Sequence, residues 1–310
     1  MTKLQSSNGT AASPLCFGAM QFGDRADETA SEQMYEASRA AGLTFFDTAH
    51  VYTGGASETL LGKFVGAERE SLTIATKAGY SGGSSRANIL ATFDESRQRL
   101  GMDMVDILYL HRWDDGAPLE ETFETLAELQ HQGKIRYIGV SNFAAWQVMK
   151  AQAVANTLGT RIDILQPMYN LVKRQAEVEL LPMALDQQIA VAPYSPLGGG
   201  LLTGKYSSGG TGRLTEDSRY AARYAPDAMH KTADALTALA AEAGQHPATL
   251  AVAWVQQHAA VTAPIISARS LEQLKPSLAV AEVKLDAALV DRISALHPAP
   301  PPATDRLEEA

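Results

Sequence analysis

Residues 43–52, LTFFDTAHVY, join an apolar run typical of a buried β-strand to a polar end that contains Asp47, His50 and Tyr52. The run follows residues 28–41, in which apolar residues recur every three or four positions, as in a helix packed on one face. A helix between two strands of one sheet carries the chain back across the sheet, so the strands run parallel. This alternation of helix and strand is the unit that decides the fold.

The same alternation continues along most of the chain. The strand candidates are residues 15–18, 43–48, 72–77, 106–111, 135–141, 163–167, 189–195 and 262–267. Helix-like segments between them include residues 28–41, 86–100, 120–132 and 144–158. Eight strand–helix units in about 250 residues or more favour a closed (β/α)8 barrel, a TIM barrel, over an open doubly wound sheet. We therefore predict an α/β fold with a single barrel domain over residues 1–310.

Two segments depart from this rhythm. Residues 198–226 form a Gly-rich stretch much longer than the two to six residues of an ordinary strand–helix loop, which predicts a lid after the seventh strand. Residues 297–310 are proline-rich and charged, which predicts a flexible C-terminal tail within the same domain.

Composition restricts the partners. The net charge of -9 argues against a nucleic-acid partner, because such proteins need a basic face. The only cysteine, Cys16, permits no internal disulfide, which favours a reducing compartment. The N-terminus lacks a signal-peptide pattern and no apolar run reaches about 18 residues, so we predict a cytoplasmic protein without a membrane partner. The oligomeric state is left open.

Polar side chains end nearly every predicted strand. In a barrel of this kind, the carboxyl ends of the strands converge on one face and carry the active groups. Any single polar residue at a strand end is explained equally well by the start of a solvent-exposed loop, but the whole set indicates a functional site. Its members are Asp47, Lys77, His111, Ser141, Asn142, Gln166, Tyr194 and Ser195, with Tyr52 just beyond the second strand.

The four residues Asp47, Tyr52, Lys77 and His111 suggest a device for moving a proton. A tyrosine has a pKa of about 10, too high for ready exchange near neutrality, and a nearby ammonium lowers it. A carboxylate keeps the ammonium charged and in place, while a neutral histidine can hydrogen-bond a carbonyl oxygen. Such a site protonates a carbonyl oxygen while another group attacks its carbon.

Seven segments then carry a resemblance that covers nearly the whole chain. They are FFDTAHVYTGGASETLLGK, TIATKAG, YLHRWD, GKIRYIGVSNF, LQPMYNLVKRQAEVELLP, VAPYSPLGGGLLTGKY and SARSLEQL. In this order they resemble the signatures of the aldo-keto reductase family, and the fifth and sixth are most similar to its aflatoxin-aldehyde and succinic-semialdehyde reductase branch. The resemblance implies an NAD(P)H-dependent oxidoreductase that reduces a small aldehyde or ketone to an alcohol, or the reverse, by hydride transfer.

The resemblance also implies residue roles. Tyr52 would be the general acid–base, Lys77 and Asp47 would tune it, and His111 would orient the substrate carbonyl. The cofactor contacts would be Met20, Asp47, Ser141, Asn142, Gln166, Tyr194, Ser195, Pro196, Leu197, Gly198, Gly200, Lys205, Ser267, Arg269, Gln273 and Ser277. Arg269 favours NADP(H) over NAD(H), because a guanidinium matches the oxygens of a 2′-phosphate. Ser267, Pro276 and Ser277 stand where the family often has Gly, Glu and Asn.

Substrate contacts would come from Tyr52, His111, Trp113 and Arg223. Arg223 falls where the semialdehyde branch uses an arginine for a substrate carboxylate, so an anionic aldehyde is one hypothesis. The alternative is that Arg219 and Arg223 are solvated or pair with Glu216 and Asp217.

Two other functions are kept open. A metal-dependent barrel hydrolase or isomerase using Asp47, His50 and His111 is disfavoured, because the chain has no HxH or HExxH spacing and no carboxylate ends strand eight. No metal is therefore expected. A non-catalytic NADP(H)-sensing subunit of the same fold is the second alternative, since some members of the family serve channels.

Overall fold

The structure is a computed structural model that describes residues 2–306 and residue 308. Its strands are β1 (Cys16–Gly18), β2 (Phe45–Asp47), β3 (Thr73–Ala78), β4 (Val105–Leu110), β5 (Ile135–Ser141), β6 (Ile164–Gln166), β7 (Ala190–Val191) and β8 (Ile265–Ile266). Its helices are α1 (Glu28–Ala40), α2 (Ala56–Val65), α3 (Arg86–Leu100), α4 (Leu119–His131), α5 (Ala145–Thr157), α6 (Leu180–Asp186), α7 (Arg213–Glu216), α8 (Ser218–Arg223), α9 (Asp227–Glu242), α10 (Pro247–Gln256), α11 (Leu271–Leu278) and α12 (Ala287–Ser294).

The eight strands form one parallel sheet that curls into a barrel. Neighbours follow the order β7-β6-β5-β4-β3-β2-β1-β8, and every pairing is parallel. The ends of this order meet, because the amide of Thr262 donates to Val191 O at 2.8 Å and that of Ile265 to Pro193 O at 2.9 Å. The prediction of a (β/α)8 barrel is confirmed, and each of the eight predicted strands overlaps an observed one.

Two hydrophobic layers follow from the alternation of side chains along each strand. In β2, Phe45 packs inside the barrel with Cys16, Ala75 and Ile107, whereas Phe46 packs outward against the helices. Because the alternation continues to the end of each strand, every second residue there still faces the barrel interior. The polar strand ends therefore share one surface with the interior.

The helix boundaries have local causes. Helix α3 begins where the Ser85 side chain accepts from the Asn88 amide and ends at Gly101, whose φ of 64° is the left-handed conformation common after helices. The segment predicted as residues 120–132 is observed one position earlier, as α4. Such shifts of one residue do not change which face packs on the barrel.

The long segment after β7 is folded rather than irregular. It contains a 3-10 turn at Gly198–Thr203 and the short helices α7 and α8. The flexible tail over residues 297–310 stays a prediction, and its positions 307, 309 and 310 lie outside the described residues. Within the described chain, no helix combines the length and apolar character needed to cross a bilayer.

Candidate active site

A buried ion pair lies at the carboxyl end of the barrel. Lys77 Nζ donates to Asp47 Oδ2 at 2.5 Å and to the carbonyl oxygen of Thr48 at 2.7 Å, and the Lys77 side chain has no exposed surface. Gln166 Nε2 donates to Asp47 Oδ1 at 2.9 Å, so both carboxylate oxygens are satisfied. Burial alone would lower the pKa of Lys77, but Asp47 and Tyr52 together raise it. The lysine is therefore a fixed ammonium.

Tyr52 lies directly above this pair. Lys77 Nζ is 4.8 Å from the centre of the Tyr52 ring, and Tyr52 keeps a minor part of its surface exposed. Burial raises the pKa of Tyr52, while the Lys77 ammonium opposes that rise. The sequence predicts the lowering effect of the lysine, but the net shift is upward because desolvation of the phenolate is the larger contribution. Tyr52 thus holds its proton at neutral pH.

His111 follows β4 and faces the same space. Its ring centre is 5.7 Å from that of Tyr52, and the two rings are nearly perpendicular at 84°. Burial, with Lys77 and Arg112 nearby, lowers the pKa of His111 to about 3, so the imidazole is neutral. The Nδ1 atom of His111 is buried and has no hydrogen-bond partner within the described chain. A neutral ring can donate one hydrogen bond to a carbonyl oxygen.

The ends of β5, β6 and β7 form a connected amide network. Asn142 Nδ2 donates to the carbonyl oxygen of His111 at 2.9 Å, and Tyr194 OH donates to Asn142 Oδ1 at 2.7 Å. Ser141 Oγ donates to the carbonyl oxygen of Gln166 at 2.9 Å. The predicted nicotinamide contacts Ser141, Asn142, Gln166 and Tyr194 are thus brought together beside Asp47.

The loop after β7 forms the wall beyond Tyr194. Ser195 lies at a φ of 59°, Pro196 is buried, and the carbonyl oxygen of Leu197 accepts the Gly200 amide at 3.0 Å. Gly198, Gly199 and Gly200 all have positive φ, and a side chain at Gly200 would come within 3.2 Å of Lys205 Nζ. This close approach of backbone and ammonium suits an anionic ligand.

The end of β8 carries polar atoms that the protein leaves unsatisfied. Ser267 Oγ and Ser277 Oγ are buried without a hydrogen-bond partner among the described residues, whereas the Arg269 guanidinium faces Glu216. The Arg269 amide donates to Gln273 Oε1 at 3.4 Å. Native proteins rarely leave such groups unpaired without a ligand or water. Of the four residues predicted to contact the adenosine end of a cofactor, the two serines therefore have hydroxyl groups free to bind that group.

Long-range contacts that the sequence does not predict connect three loops over this wall. Glu216 Oε2 is 2.8 Å from Arg269 Nη2 and 3.4 Å from Arg25 Nη1. Arg213 Nη2 contacts Met20 Sδ at 3.4 Å, which places the predicted contact Met20 beside the same loop. Partial burial lowers the pKa of Lys205, and Arg269 and Arg213 lower it further. Apart from the length of the loop, no local pattern reveals these long-range pairs.

The outer rim contains the predicted substrate residues. Trp113 packs edge-on against Phe143 with ring centres 5.2 Å apart. Arg219 pairs with Asp217 at 3.1 Å, as the alternative for that arginine proposed. Arg223 instead lies over the Tyr220 ring, 5.0 Å from its centre, and no ion pair involving it is found in the described chain. Arg223 is therefore available to bind an anion, whereas Arg219 is already paired.

His50 belongs to a different cluster. Its Nε2 atom is 2.7 Å from Glu95 Oε2 on α3, on the far side of the turn that carries Tyr52. Across residues 2–306 and 308, no group of three or more His, Cys, Asp or Glu side chains is arranged to hold a metal ion. The metal-dependent alternative has no donor set in this part of the chain.

Comparison with known proteins matches residues 14–298 to the Aldo/keto reductase family. The chain is 33% identical over 313 residues to the uncharacterized oxidoreductase YrpG of Bacillus subtilis (strain 168), covering 94% of each chain. It is 32% identical to a probable voltage-gated potassium channel subunit beta of Oryza sativa subsp. japonica, covering 96% of this chain and 97% of that protein. It is also 32% identical to aflatoxin B1 aldehyde reductase member 2 of Homo sapiens, covering 88% and 83%.

Proposed function

The chain belongs to the aldo/keto reductase family, and from that premise we propose that it reduces an aldehyde or ketone with NADPH, using Tyr52 as the proton donor. The buried pair of Lys77 and Asp47 beneath the Tyr52 ring is the observation that carries the proposal. Burying two charges costs several kcal/mol, roughly, before their attraction is counted, and apolar packing could fill the same space. A role in proton transfer explains why the charged pair is present despite this cost.

Tyr52 would donate its proton to the carbonyl oxygen as negative charge develops there. The phenolate that remains would lie beside the Lys77 ammonium, which is already fixed by Asp47 and by the Thr48 carbonyl. Because the ammonium and its partners are in place before the reaction, little reorganisation accompanies the transfer. The raised pKa of Tyr52 keeps the proton available for reduction at neutral pH.

His111 would hold the substrate carbonyl toward Tyr52. A protonated imidazole beside Lys77 would add a second positive charge to a desolvated site, and the lowered pKa avoids this. The neutral ring then acts as a hydrogen-bond donor that orients the oxygen without competing for the proton.

The residues from β1 to β8 that line the opposite wall would bind the cofactor. When bound, NADPH supplies the hydride for the carbonyl carbon. Ser141, Asn142 and Gln166 would take the carboxamide, Tyr194 would pack on the nicotinamide ring, and the loop from Ser195 to Lys205 would enclose the pyrophosphate. The unsatisfied hydroxyl groups of Ser267 and Ser277, with the Arg269 guanidinium on the same segment, support an adenosine phosphate at the end of β8, which favours NADP(H) over NAD(H).

An anionic carbonyl compound remains the substrate class that the rim favours. Arg223 and Arg112 each stack on a tyrosine, Tyr220 and Tyr80, at 5.0 Å from the ring centre. Tyr80 in turn lies 4.9 Å from the His111 ring. Neither arginine has a carboxylate within ion-pair distance among the described residues, so both charges are free to meet a substrate carboxylate or phosphate.

The sensing-subunit alternative is supported by the similarity to proteins named as probable potassium channel subunits. A sensor would bind NADPH without turning it over, whereas the enzyme would oxidise bound NADPH when an aldehyde is added. Single-turnover absorbance of bound NADPH with a broad aldehyde panel separates the two. A cytoplasmic location stays a prediction.

Replacing Tyr52 with Phe tests the proposal directly. Tyr52→Phe should bind NADPH with unchanged affinity and lose about 10²–10⁴-fold of the rate of reduction, because only the proton donor is removed. Binding is measured by NADPH fluorescence and the rate by single turnover. Reduction within threefold of the wild-type rate would sink the assignment of Tyr52.

A further inference from the structure

The turn that carries Tyr52 has a backbone conformation that needs support from outside. The three residues after Tyr52 all lie in the left-handed region: Thr53 at a φ of 49°, Gly54 at 64° and Gly55 at 95°. A threonine is disfavoured there, because its Cβ crowds the following carbonyl oxygen. The surrounding structure must therefore fix the path of the chain around the Tyr52 ring.

One side of the turn is held by hydroxyl groups. Thr53 Oγ1 donates to the carbonyl oxygen of Phe22 at 2.8 Å and accepts the Ser57 amide at 2.9 Å. These bonds tie the turn to the loop after β1 and to the first turn of α2. They leave the opposite side, which faces α3, to be held by another group.

The guanidinium of Arg99 on α3 holds that opposite side at both ends. Arg99 Nη1 donates to the carbonyl oxygen of His50 at 3.0 Å, two residues before Tyr52. A Cβ atom placed on Gly55 would lie 2.6 Å from Arg99 Nε, so the glycine allows the side chain to press against the turn. One side chain thus touches the chain on either side of Tyr52.

Arg99 is itself fixed by two carboxylates. Glu58, which is fully buried on α2, lies 3.3 Å from Arg99 Nη1 and accepts from Thr76 Oγ1 at 2.6 Å. Glu95 accepts from Arg99 Nη2 at 3.1 Å and also pairs with His50. Because Thr76 precedes Lys77 in β3, the chain of contacts joins the Tyr52 turn to the strand that carries the lysine.

We propose that Arg99 is a positioning residue that holds Tyr52 at the substrate carbonyl, and this inference rests on the proposed role of Tyr52 as proton donor. Arg99 does not touch the substrate or the cofactor. It sets the distance and angle of the phenol through the turn, and misplacement by about 1 Å is enough to cost on the order of 10²-fold in rate.

The surroundings of Arg99 make a direct experiment possible. Arg99 lines a cavity of about 490 Å³ between α2 and α3, together with Gly62, Leu100 and Met102. A small guanidinium ion can therefore reach the space that truncation of this side chain leaves. Arg97, two residues earlier on the same helix, pairs with Asp94 at 3.0 Å and does not contact the turn, so it provides a matched control.

Arg99→Ala should lower kcat by about 10²-fold and leave the dissociation constant of NADPH within twofold, whereas Arg97→Ala should change neither. Added ethylguanidinium should raise the rate of Arg99→Ala at least tenfold and leave the rate of Tyr52→Phe unchanged. If Arg99→Ala does not fold because Glu58 is left unpaired, the pair Glu58→Gln with Arg99→Ala replaces it. No recovery with ethylguanidinium would contradict a direct role of the guanidinium.

A double-mutant cycle separates positioning from general damage. In the Tyr52→Phe background, Arg99→Ala should have less than a threefold further effect on single-turnover reduction, because the donor it positions is already gone. An equal loss in both backgrounds would overturn the role of Arg99 while leaving that of Tyr52 intact. Near-wild-type reduction by Tyr52→Phe alone would instead overturn the proposed function.

Discussion

The two walls of the site hold their charges in different ways. At the ends of β2 and β3, Asp47 and Lys77 are buried, and every polar atom of the pair has a protein partner. On the loops after β1, β7 and β8, respectively, Arg25, Glu216 and Arg269 keep 32%, 38% and 24% of their side-chain surface exposed. Buried pairs are costly to break, while exposed pairs contribute little and exchange partners readily. The wall at β2 and β3, where we propose that the proton is transferred, is therefore formed in advance. The wall on the loops, where we propose that the cofactor binds, can rearrange around its ligand.

The largest effect should come from breaking the buried pair. Lys77→Met should abolish most reduction and lower the free energy of unfolding by about 3–5 kcal/mol, because Asp47 is left buried without its ammonium. Denaturant unfolding and single-turnover reduction measure the two effects. The surface variant Lys63→Met, which removes an exposed pair with Glu28, serves as the control and should change neither by much.

The double variant Asp47→Asn with Lys77→Met sharpens this result. Removing both charges should recover much of the stability, because no unpaired charge is left in the interior. The rate should stay low, because the phenolate of Tyr52 would still lack an ammonium. Recovery of both properties together would contradict a catalytic role for Lys77.

The pKa of His111 predicts the next effect, which depends on pH. The folded-state pKa of about 3 lies below the unfolded value of 6.5, so between these values the unfolded chain binds a proton that the folded protein does not. The contribution of neutral His111 to the free energy of unfolding is therefore fully present above pH 6.5 and is lost as the pH falls. At pH 5 the loss is about 2 kcal/mol.

His111→Gln removes this titration. The difference in unfolding free energy between wild type and His111→Gln should shift by about 2 kcal/mol in favour of the variant between pH 7.5 and pH 5. Denaturant melts of both proteins at the two pH values measure it, and constant effects of the substitution cancel. A difference that does not change with pH would mean that His111 titrates normally, and its role as a neutral donor would then fail.

The contrast between the walls also explains what the sequence could predict. Lys77 and Asp47 each end a short, mostly apolar run typical of a buried strand, so the strand pattern alone brings both to the mouth of the barrel. The pairs of Glu216 with Arg25 and Arg269 depend on how three distant loops cross, and the pair with Arg269 spans 53 positions. The sequence does not indicate the upward shift in the pKa of Tyr52, because desolvation depends on the packed surroundings and not on the spacing of residues.

The smallest effect should come from the exposed wall. Arg269→Met should lower the affinity for NADPH relative to NADH by about tenfold, because a charge-assisted hydrogen bond to the 2′-phosphate is lost. Fluorescence titration with both cofactors measures the ratio, which removes any shared effect on the rest of the binding site. An unchanged ratio would mean that the 2′-phosphate does not meet Arg269.

Glu216→Gln is the matched variant on the other side of the same ion pair, and it should act in the opposite direction. Glu216 occupies the guanidinium that the 2′-phosphate would need, so its neutral replacement should raise the ratio of NADPH to NADH affinity by a few-fold. Because the pair is exposed, 0.5 M salt should reduce both shifts while leaving the single-turnover rate at saturating NADPH unchanged. A salt effect on that rate would mean that the buried and exposed walls are coupled. The distinction between a wall formed in advance and a wall that rearranges around its ligand would then be wrong.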